Sequence, residues 1–475
     1  MIASFFAIAG MVVANVMLII IMLVLLAQNL VYFIQLWISI SVRVRQPSKI
    51  GSQRDLWQLQ ALQSPGVSLI APAFNEELTI AQSIRSLLSI DYPDFEVIVV
   101  NDGSKDETMN VLKAAFCLRP SARHAAHGLA HQPLLAIFES ESHPNLLVLD
   151  KINGRKADAC NAGINFASKP LLCVTDADSI LEPDALLRAC QPFLSDDGSL
   201  LAVGGSIRLT NGSQISAGSL RQTGMPKTFI ERFQILEYLR AFMVARIAWS
   251  DWQMLTLISG AFGVFRGSAV IAAGGYRHDT VGEDLELAVR IQRLAKERAQ
   301  RARIEFVPDA ICWTEAPATY AGLRNQRSRW QQGALETLHS HRVMLFNPRF
   351  GRIGKASMPL ILLEDVCVPV AEALGYALLP VFIIFGFTNW LWLCGMLVFS
   401  LLMGTGLSIG ALFQEEFQTR AVNQPRDIAI LIFCAFFENI GYRQFNTYCR
   451  LRGIRRHVAK ETSWASVPRV GFVNH

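Results

Sequence analysis

Charge is scarce in this chain. Only 17% of its 475 residues are Asp, Glu, Lys or Arg, and none of them falls between Met1 and Val42. That stretch is too long for a secretory signal, and no small-residue cleavage site follows it. Close cysteine pairs are also missing. The nine cysteines are odd in number and scattered from Cys117 to Cys449, with no two in a CxxC arrangement. Neither a zinc site nor a disulfide framework is therefore indicated. Several lie in apolar runs and read as core or membrane packing, which fits a reducing, cytosolic face for the middle of the chain. The net charge is only +5. The basic residues cluster beside apolar runs, where they suit anionic lipid headgroups better than nucleic acid, so no nucleic-acid partner is expected.

What is abundant is apolar surface. Hydrophobic residues make up 51% of the chain and the mean hydropathy is +0.30. The excess lies at the two ends, around a middle of ordinary globular composition, which suggests one soluble domain carried between membrane segments. Residues 1–42 are long enough for one tilted helix over about 10–38 with an interfacial leader, or for a tight two-helix hairpin. Arg43, Arg45, Lys49 and Arg54 follow at once and place this end in the cytosol. A second apolar region spans 346–446, with candidate crossings at about 358–387, 390–413 and 428–442. The last is short and contains Glu438. Three full crossings would carry the basic tail, 447–475, outside. Its RLRGIRRHVAK run prefers the inside, so either the last segment is re-entrant or the span count differs.

The soluble domain is expected over 43–345. Within it VSLIAPAFNEE, FEVIVVNDGSKDE, LLVLDKINGRKADACNAG and LLCVTDADS are each an apolar run ending in polar residues, with a helical stretch behind. Strand-then-helix repetition predicts an α/β, Rossmann-type domain with a mainly parallel sheet. Ligands in such sheets bind at the carboxyl ends of the strands, where these polar tails fall. The domain ends in residues 325–344, amphipathic and rich in Arg, Gln and His, which read as a helix at the membrane surface.

Asp176 and Asp178 flank one alanine at such a strand end. Paired carboxylates can hold Mg²⁺ or Mn²⁺ against a diphosphate, and Asp is also simply common in turns. Asp102 stands just beyond another strand and can accept hydrogen bonds from a base or ribose. Ser104 and Asp106 behind it suit helix caps as well as a ligand. Asn75 and Glu76 occupy the matching place after the preceding strand. Arg155 and Lys156 open a helix, where a cation opposes the helix dipole unless an anion sits there; a solvated surface charge is the other reading. Glu283 and Asp284 precede an amphipathic helix and read either as first-turn acids or as a base for a hydroxyl proton. In the run QRSRW, Arg329 can grip a phosphate, Trp330 can floor a sugar ring and Gln326 can bond hydroxyls. Arg and Trp near a membrane also serve as interfacial anchors.

The ordered set Asp102, Asp176-Ala-Asp178, Glu283-Asp284 and Gln326-x-x-Arg329-Trp330 resembles the processive family 2 glycosyltransferases. These include cellulose, chitin and hyaluronan synthases and bacterial poly-N-acetylglucosamine synthases. The resemblance implies a GT-A-like domain flanked by transmembrane helices. It also implies that Asp102 contacts the nucleotide, that Asp178 and Asp176 serve the metal and diphosphate, and that Asp284 is the general base. Arg329 then holds the diphosphate and Trp330 floors the acceptor site. ISGAFGVFR looks like the acceptor-lining segment, with Ser259, Gly260 and Ala261 letting a sugar approach the backbone. In the base motif Gly282 stands where the family often has Thr, and no Phe-x-Val-Thr-x-Lys gating loop is present. The ending ETSWASVPRVGF resembles that of poly-N-acetylglucosamine synthase-like proteins. The expected partners are a UDP-sugar donor, a polysaccharide acceptor, membrane lipids and accessory exopolysaccharide-export proteins.

Overall fold

The computed structural model describes residues 2–45, 57, 63–216, 219–384, 390–419 and 424–461. Lys49, Arg54 and the terminal TSWASVPRVGF run lie outside the described residues.

The first helix, α1 (Ile2–Arg45), is continuous. The domain behind it begins β1 (Val67–Ala73), α2 (Ile80–Leu88), β2 (Phe95–Asp102), α3 (Thr108–Phe116), β3 (Leu118–Pro120), β4 (Leu134–Ser140), β5 (Leu146–Lys151) and α4 (Lys156–Phe166). There follow β6 (Leu171–Val174), β7 (Ile180–Leu181), α5 (Ala185–Leu194), β8 (Leu200–Leu209), β9 (Gln214–Ser216) and β10 (Ser219–Gln222). A helix α6 (Phe229–Leu239) runs through a π-helical turn, Arg240–Ala245, into α7 (Arg246–Asp251). The domain closes with β11 (Gly263–Arg266), α8 (Gly267–Ala272), α9 (Glu283–Glu297), β12 (Arg303–Thr314) and α10 (Tyr320–Ser340).

Ten strands form one sheet in the order β3-β4-β5-β2-β1-β6-β11-β8-β12-β7. Its centre, β5-β2-β1-β6, is parallel, with antiparallel pairs on either side. The central strands are buried on both faces, as expected for near-continuous Val, Ile and Leu covered by helices. Register decides where the site falls. Ala73 pairs with Asn101, Asp102 with Lys151, and Ile70 with Val174, so the loops after β1, β2, β5 and β6 leave from one edge. Because β11 runs antiparallel to β6, with Gly263 beside Val174, the residues preceding β11 reach that same edge.

Beyond α10 the chain passes through π-helical turns at Ile353–Ser357 and Leu363–Cys367, on either side of α11 (Met358–Leu362). Then come α12 (Val368–Ile384), α13 (Trp390–Thr419), α14 (Pro425–Phe437) and α15 (Tyr442–Val458). Among the described residues two helices are long and apolar enough to cross a membrane, over Asn15–Arg45 and Val398–Glu416. The pair α14 and α15, bent by 62°, makes a third if taken as one span. Polar side chains tie the two regions together. Arg208 of β8 pairs with Glu415 of α13 at 2.5 Å, and Arg43 of α1 donates to Gln414 at 3.1 Å.

The structure refines three expectations about this region. Residues 428–442 are not one helix. Glu438 is drawn to Arg240 (2.5 Å) and Ser408 (2.6 Å), and Gly441 takes a left-handed φ of 87°, so the helix ends and restarts as α15. Residues 447–458 are not a free tail but part of α15. The helix α10, expected as an amphipathic interfacial helix, packs one side against α15. Ser328 donates to the Cys449 carbonyl (2.9 Å) and Arg450 to Gln331 Oε1 (2.9 Å), so Ser328 and Gln331 are buried against α15. Gly453 permits the contact, since a Cβ there would lie 2.6 Å from Ser328 O and Gln331 Cβ.

Candidate active site

A cleft of about 1480 Å³ opens at the shared strand edge and continues between the apolar helices. Asn75, Glu76, Asp102, Lys156, Asp176, Asp178, Ser259, Gly260, Ala261, Glu283, Asp284, Gln326, Arg329 and Trp330 all line it. Residues as far apart in sequence as Asn75 and Trp330 thus line one cleft, placed there by the strand ends and by α9 and α10.

The loops after β1 and β2 clasp each other. Asn75, at a left-handed φ of 57°, donates its N–H to Ser104 Oγ (2.9 Å) and accepts from Lys105 N through Oδ1 (2.9 Å). Glu76 N donates to Thr108 Oγ1 at 2.8 Å. Ser104 is therefore a loop clasp rather than a helix cap, while Asp106 accepts from Thr108 N at 3.1 Å, just ahead of α3.

Asp102 is turned largely inward. Its Oδ1 accepts from Lys151 Nζ (2.5 Å) and Gly154 N (2.9 Å), and its Oδ2 from Arg155 N (2.8 Å). A carboxylate has about four acceptor positions, so one remains for a ligand. The larger consequence is that Asp102 hangs the 153–155 loop, and with it the start of α4, from the end of β2. Lys151 is fully buried between Asp102 and Asp158, 2.5 Å from each.

Lys156 reaches Asp176 Oδ1 at 2.5 Å and the Gly260 carbonyl at 3.3 Å. Burial pulls its ammonium down, but Asp176 and Glu283 outweigh this and hold it above the ordinary lysine range. Asp284 is fixed by two backbone donors, Gly260 N to Oδ2 (3.0 Å) and Leu285 N to Oδ1 (2.8 Å). Gly260 makes this approach possible, since a Cβ there would meet Asp284 Oδ2 and Lys156 Nζ, each at 3.1 Å. Burial raises Glu283 above the usual carboxylate range; Lys156 offsets part of this and the Asp284 charge adds to it.

The first turn of α9 lies against α10. Glu336 accepts from Thr280 Oγ1 and Val281 N, both at 2.9 Å. On α10, Gln326 Oε1 is buried in the cleft wall with no hydrogen-bond partner among the described residues.

The chain matches the family description Glycosyl transferase family 2 over residues 68–269, and Glycosyl transferase family group 2 over residues 171–407. It belongs to the family 2 glycosyltransferases. It is similar to a poly-beta-1,6-N-acetyl-D-glucosamine synthase of Staphylococcus epidermidis, 28% identical over 277 residues, covering 58% of this chain and 56% of the relative. The synthase of that name from Staphylococcus aureus (strain COL) is 27% identical over 274 residues, covering 58% and 55%. The matched stretch spans little more than half the length of these relatives. Among solved structures, the mannosyltransferase PcManGT from Pyrobaculum calidifontis, in complex with GDP-Man and Mn²⁺, aligns with a TM-score of 0.57 at 17% identity. The alignment covers 94% of this chain and 99% of that one, and the likeness is one of fold, GT-A-like.

This glycosyltransferase also places in the cleft residues that no motif marked. Arg246 lays its guanidinium 3.8 Å from the centre of the Phe242 ring, and burial brings it down to about 10. Gln28, Asn29, Tyr32 and Gln35 give α1 a polar stripe at the far end of the cleft. The spacing of Gln28, Tyr32 and Gln35, four and then three residues apart on one helix face, was the available signal.

Proposed function

We propose that this protein is a membrane-embedded inverting hexosyltransferase. In this reading it moves a sugar from UDP-N-acetylglucosamine or UDP-glucose onto a growing β-linked polysaccharide and passes the product through its membrane helices. The observation that carries the reading is the single cleft in which the carboxylate pair, the Lys156 ammonium, the oriented Asp284 and the Arg329–Trp330 pair meet, continuous with the polar stripe of α1.

The nucleotide lies against the Asn75–Glu76 and Asp102 loops. Lys156, at the start of α4, and Arg329 face the diphosphate. Gln326 Oε1 accepts from a sugar hydroxyl, and Trp330 floors the acceptor, next to Ser259, Gly260 and Ala261. Asp284, its orientation set by Gly260 N–H and Leu285 N–H, removes the acceptor hydroxyl proton. A positioned base of this kind contributes roughly 10²–10⁴-fold. One direct displacement turns an α-linked donor into a β-glycoside, with the charge of the departing UDP met by Lys156 and Arg329.

A divalent cation fits the donor set. Among the described residues no three His, Cys, Asp or Glu side chains gather as a metal cage, but Asp176 and Asp178 offer two hard carboxylates at a strand end. Mg²⁺ typically takes only one or two carboxylates and draws its other ligands from phosphate and water. Asp178 and Asp176 would hold Mg²⁺ or Mn²⁺, which when bound supplies Lewis-acid stabilisation of the leaving diphosphate.

The basic residues Arg43 and Arg45 at the end of α1 support a cytoplasmic catalytic domain. A bacterial inner membrane suits such a synthase, with export proteins taking the polymer onward. The test is turnover in detergent with radiolabelled UDP-glucose and UDP-N-acetylglucosamine offered separately, with Mn²⁺, with and without chelator. Chelator-sensitive long polymer from one donor supports the reading and names the sugar. Short or lipid-linked product would instead make it a non-processive transferase, and no turnover of either donor would mean a different donor, a missing partner or a scaffold role, which donor binding then separates.

A further inference from the structure

One face of the Trp330 indole is already taken. Arg327, one turn earlier on α10, places its Cζ 4.2 Å from the ring centroid. Residues three apart on a helix lie on the same side, which makes the stacking possible. The two differ sharply in environment: Arg327 is 7% exposed and Trp330 45%. Arg327 donates through Nη2 to Glu237 Oε2 at 2.7 Å, and the Tyr442 hydroxyl donates to the same oxygen at 2.8 Å. Glu237 comes from α6 and Tyr442 from the first residue of α15. The Tyr442 ring is in turn packed on Phe233, with centroids 5.0 Å apart. A line of contacts from Trp330 through Arg327 and Glu237 to Tyr442 joins three helices, and all four residues border the cleft.

We propose that Arg327 is a positioning residue that fixes the Trp330 ring and reserves its opposite face for an acceptor sugar, with Glu237 and Tyr442 holding Arg327 in place. This rests on the reading of Trp330 as the acceptor floor. A π face is electron-rich, and a guanidinium is attracted to it as the C–H groups of a sugar are. The face covered by Arg327 is closed to a sugar, so the acceptor stacks on the other. The buried cation stays over the ring because its counter-ion is fixed: Glu237 receives two donors on one oxygen from different helices. Removing the carboxylate leaves a buried guanidinium without its charge partner, which then moves toward water.

The test uses the full chain in detergent, with tetramers of β-linked glucose and of N-acetylglucosamine as acceptor probes. Acceptor KM, donor KM, kcat and acceptor-independent UDP release are measured for the wild type, Arg327→Met, Arg327→Lys, Glu237→Gln and Trp330→Ala. The proposal expects Arg327→Met to raise acceptor KM at least tenfold while donor KM and acceptor-independent UDP release stay within twofold. Arg327→Lys, which keeps a cation over the ring, recovers most of the loss, and Glu237→Gln falls between. If Trp330→Ala raises acceptor KM and none of the Arg327 or Glu237 variants does, the positioning role is wrong and the acceptor floor stands. If Trp330→Ala itself leaves acceptor KM unchanged, the acceptor floor falls and the positioning role with it. Should Arg327→Met not fold, Glu237→Gln and Arg327→Lys carry the same comparison.

Discussion

Gly282 and Gly333 meet backbone to backbone, where the start of α9 crosses α10. A Cβ on Gly282 would lie 2.8 Å from Gly333 Cα, and one on Gly333 would lie 2.7 Å from Gly282 Cα. The contact brings the turn carrying Glu283 and Asp284 against the helix carrying Gln326, Arg329 and Trp330. It also gives a physical reason for Gly282 where the family often has Thr: no side chain fits there without moving one helix.

Gly282→Thr, the change toward the commoner family residue, is therefore expected to lower activity. A misplacement near 1 Å costs roughly 10²-fold in a positioned reaction, so kcat should fall about 10–100-fold. Steady-state kinetics on folded protein checks this, with the thermal transition as the control for folding.

Gly260→Ala tests the neighbouring approach. The new Cβ would press on Asp284 Oδ2 and Lys156 Nζ at 3.1 Å each. Both groups must give way slightly, and kcat is expected to drop about tenfold, equivalent to about 1.4 kcal/mol. Donor KM rises if Lys156 is displaced and stays constant if only Asp284 is.

Lys151→Met leaves Asp102 and Asp158 buried without their shared cation. Breaking a buried pair by removing one partner costs roughly 3–5 kcal/mol, so a large fall in thermal stability is expected. Loosening of the 153–155 loop should also weaken UDP binding, measurable by calorimetry below the transition temperature.

Glu96 supplies a pH signature remote from the cleft. Burial pushes its carboxyl up, but Ser68, Ser168 and Arg123 outweigh this and hold it below the usual range. Its Oε1 accepts from Ser68 Oγ and Ser168 N, both at 2.6 Å, and its Oε2 from Arg123 at 2.9 Å. A depressed folded value gives stability that is present above the unfolded value of about 4.3 and lost as pH falls through the folded one. Glu96→Gln should thus be less stable than wild type by roughly 1.5–3 kcal/mol at pH 7. The difference should shrink steadily below about pH 4, as read by thermal melts at both pH values.

The strand ends were legible because parallel strands buried on both faces leave only their polar tails to mark the site. Asp102, Asp176 and Asn75 stand out against Val and Ile on the sequence alone. The inward turn of Asp102 was not legible, since it depends on Lys151 and on two backbone N–H groups some 50 positions away. Arg327 was hidden for a similar reason. Its sequence neighbours announce a ligand site, but its partner Glu237 lies on another helix, in a stretch with no motif. The short length of 428–442, its Glu438 and the basic run behind it pointed to an irregular segment, but not to where it bends. At the bend Glu438 meets Arg240 and Ser408, tertiary contacts, and Gly441 takes a left-handed φ. The burial of α10 escaped too, because a polar helix face looks the same in sequence whether it meets water or the polar side of α15.

If Asp284 is the base of a glycosyl transfer in this cleft, its carboxylate is needed for transfer and not for donor binding. The most direct measurement pairs UDP-sugar binding with turnover for wild type and Asp284→Asn in the same detergent preparation. Asp284→Asn is expected to keep donor affinity within a few-fold of wild type and to lose transfer by roughly 10²–10⁴-fold. Transfer by Asp284→Asn at near the wild-type rate would contradict it.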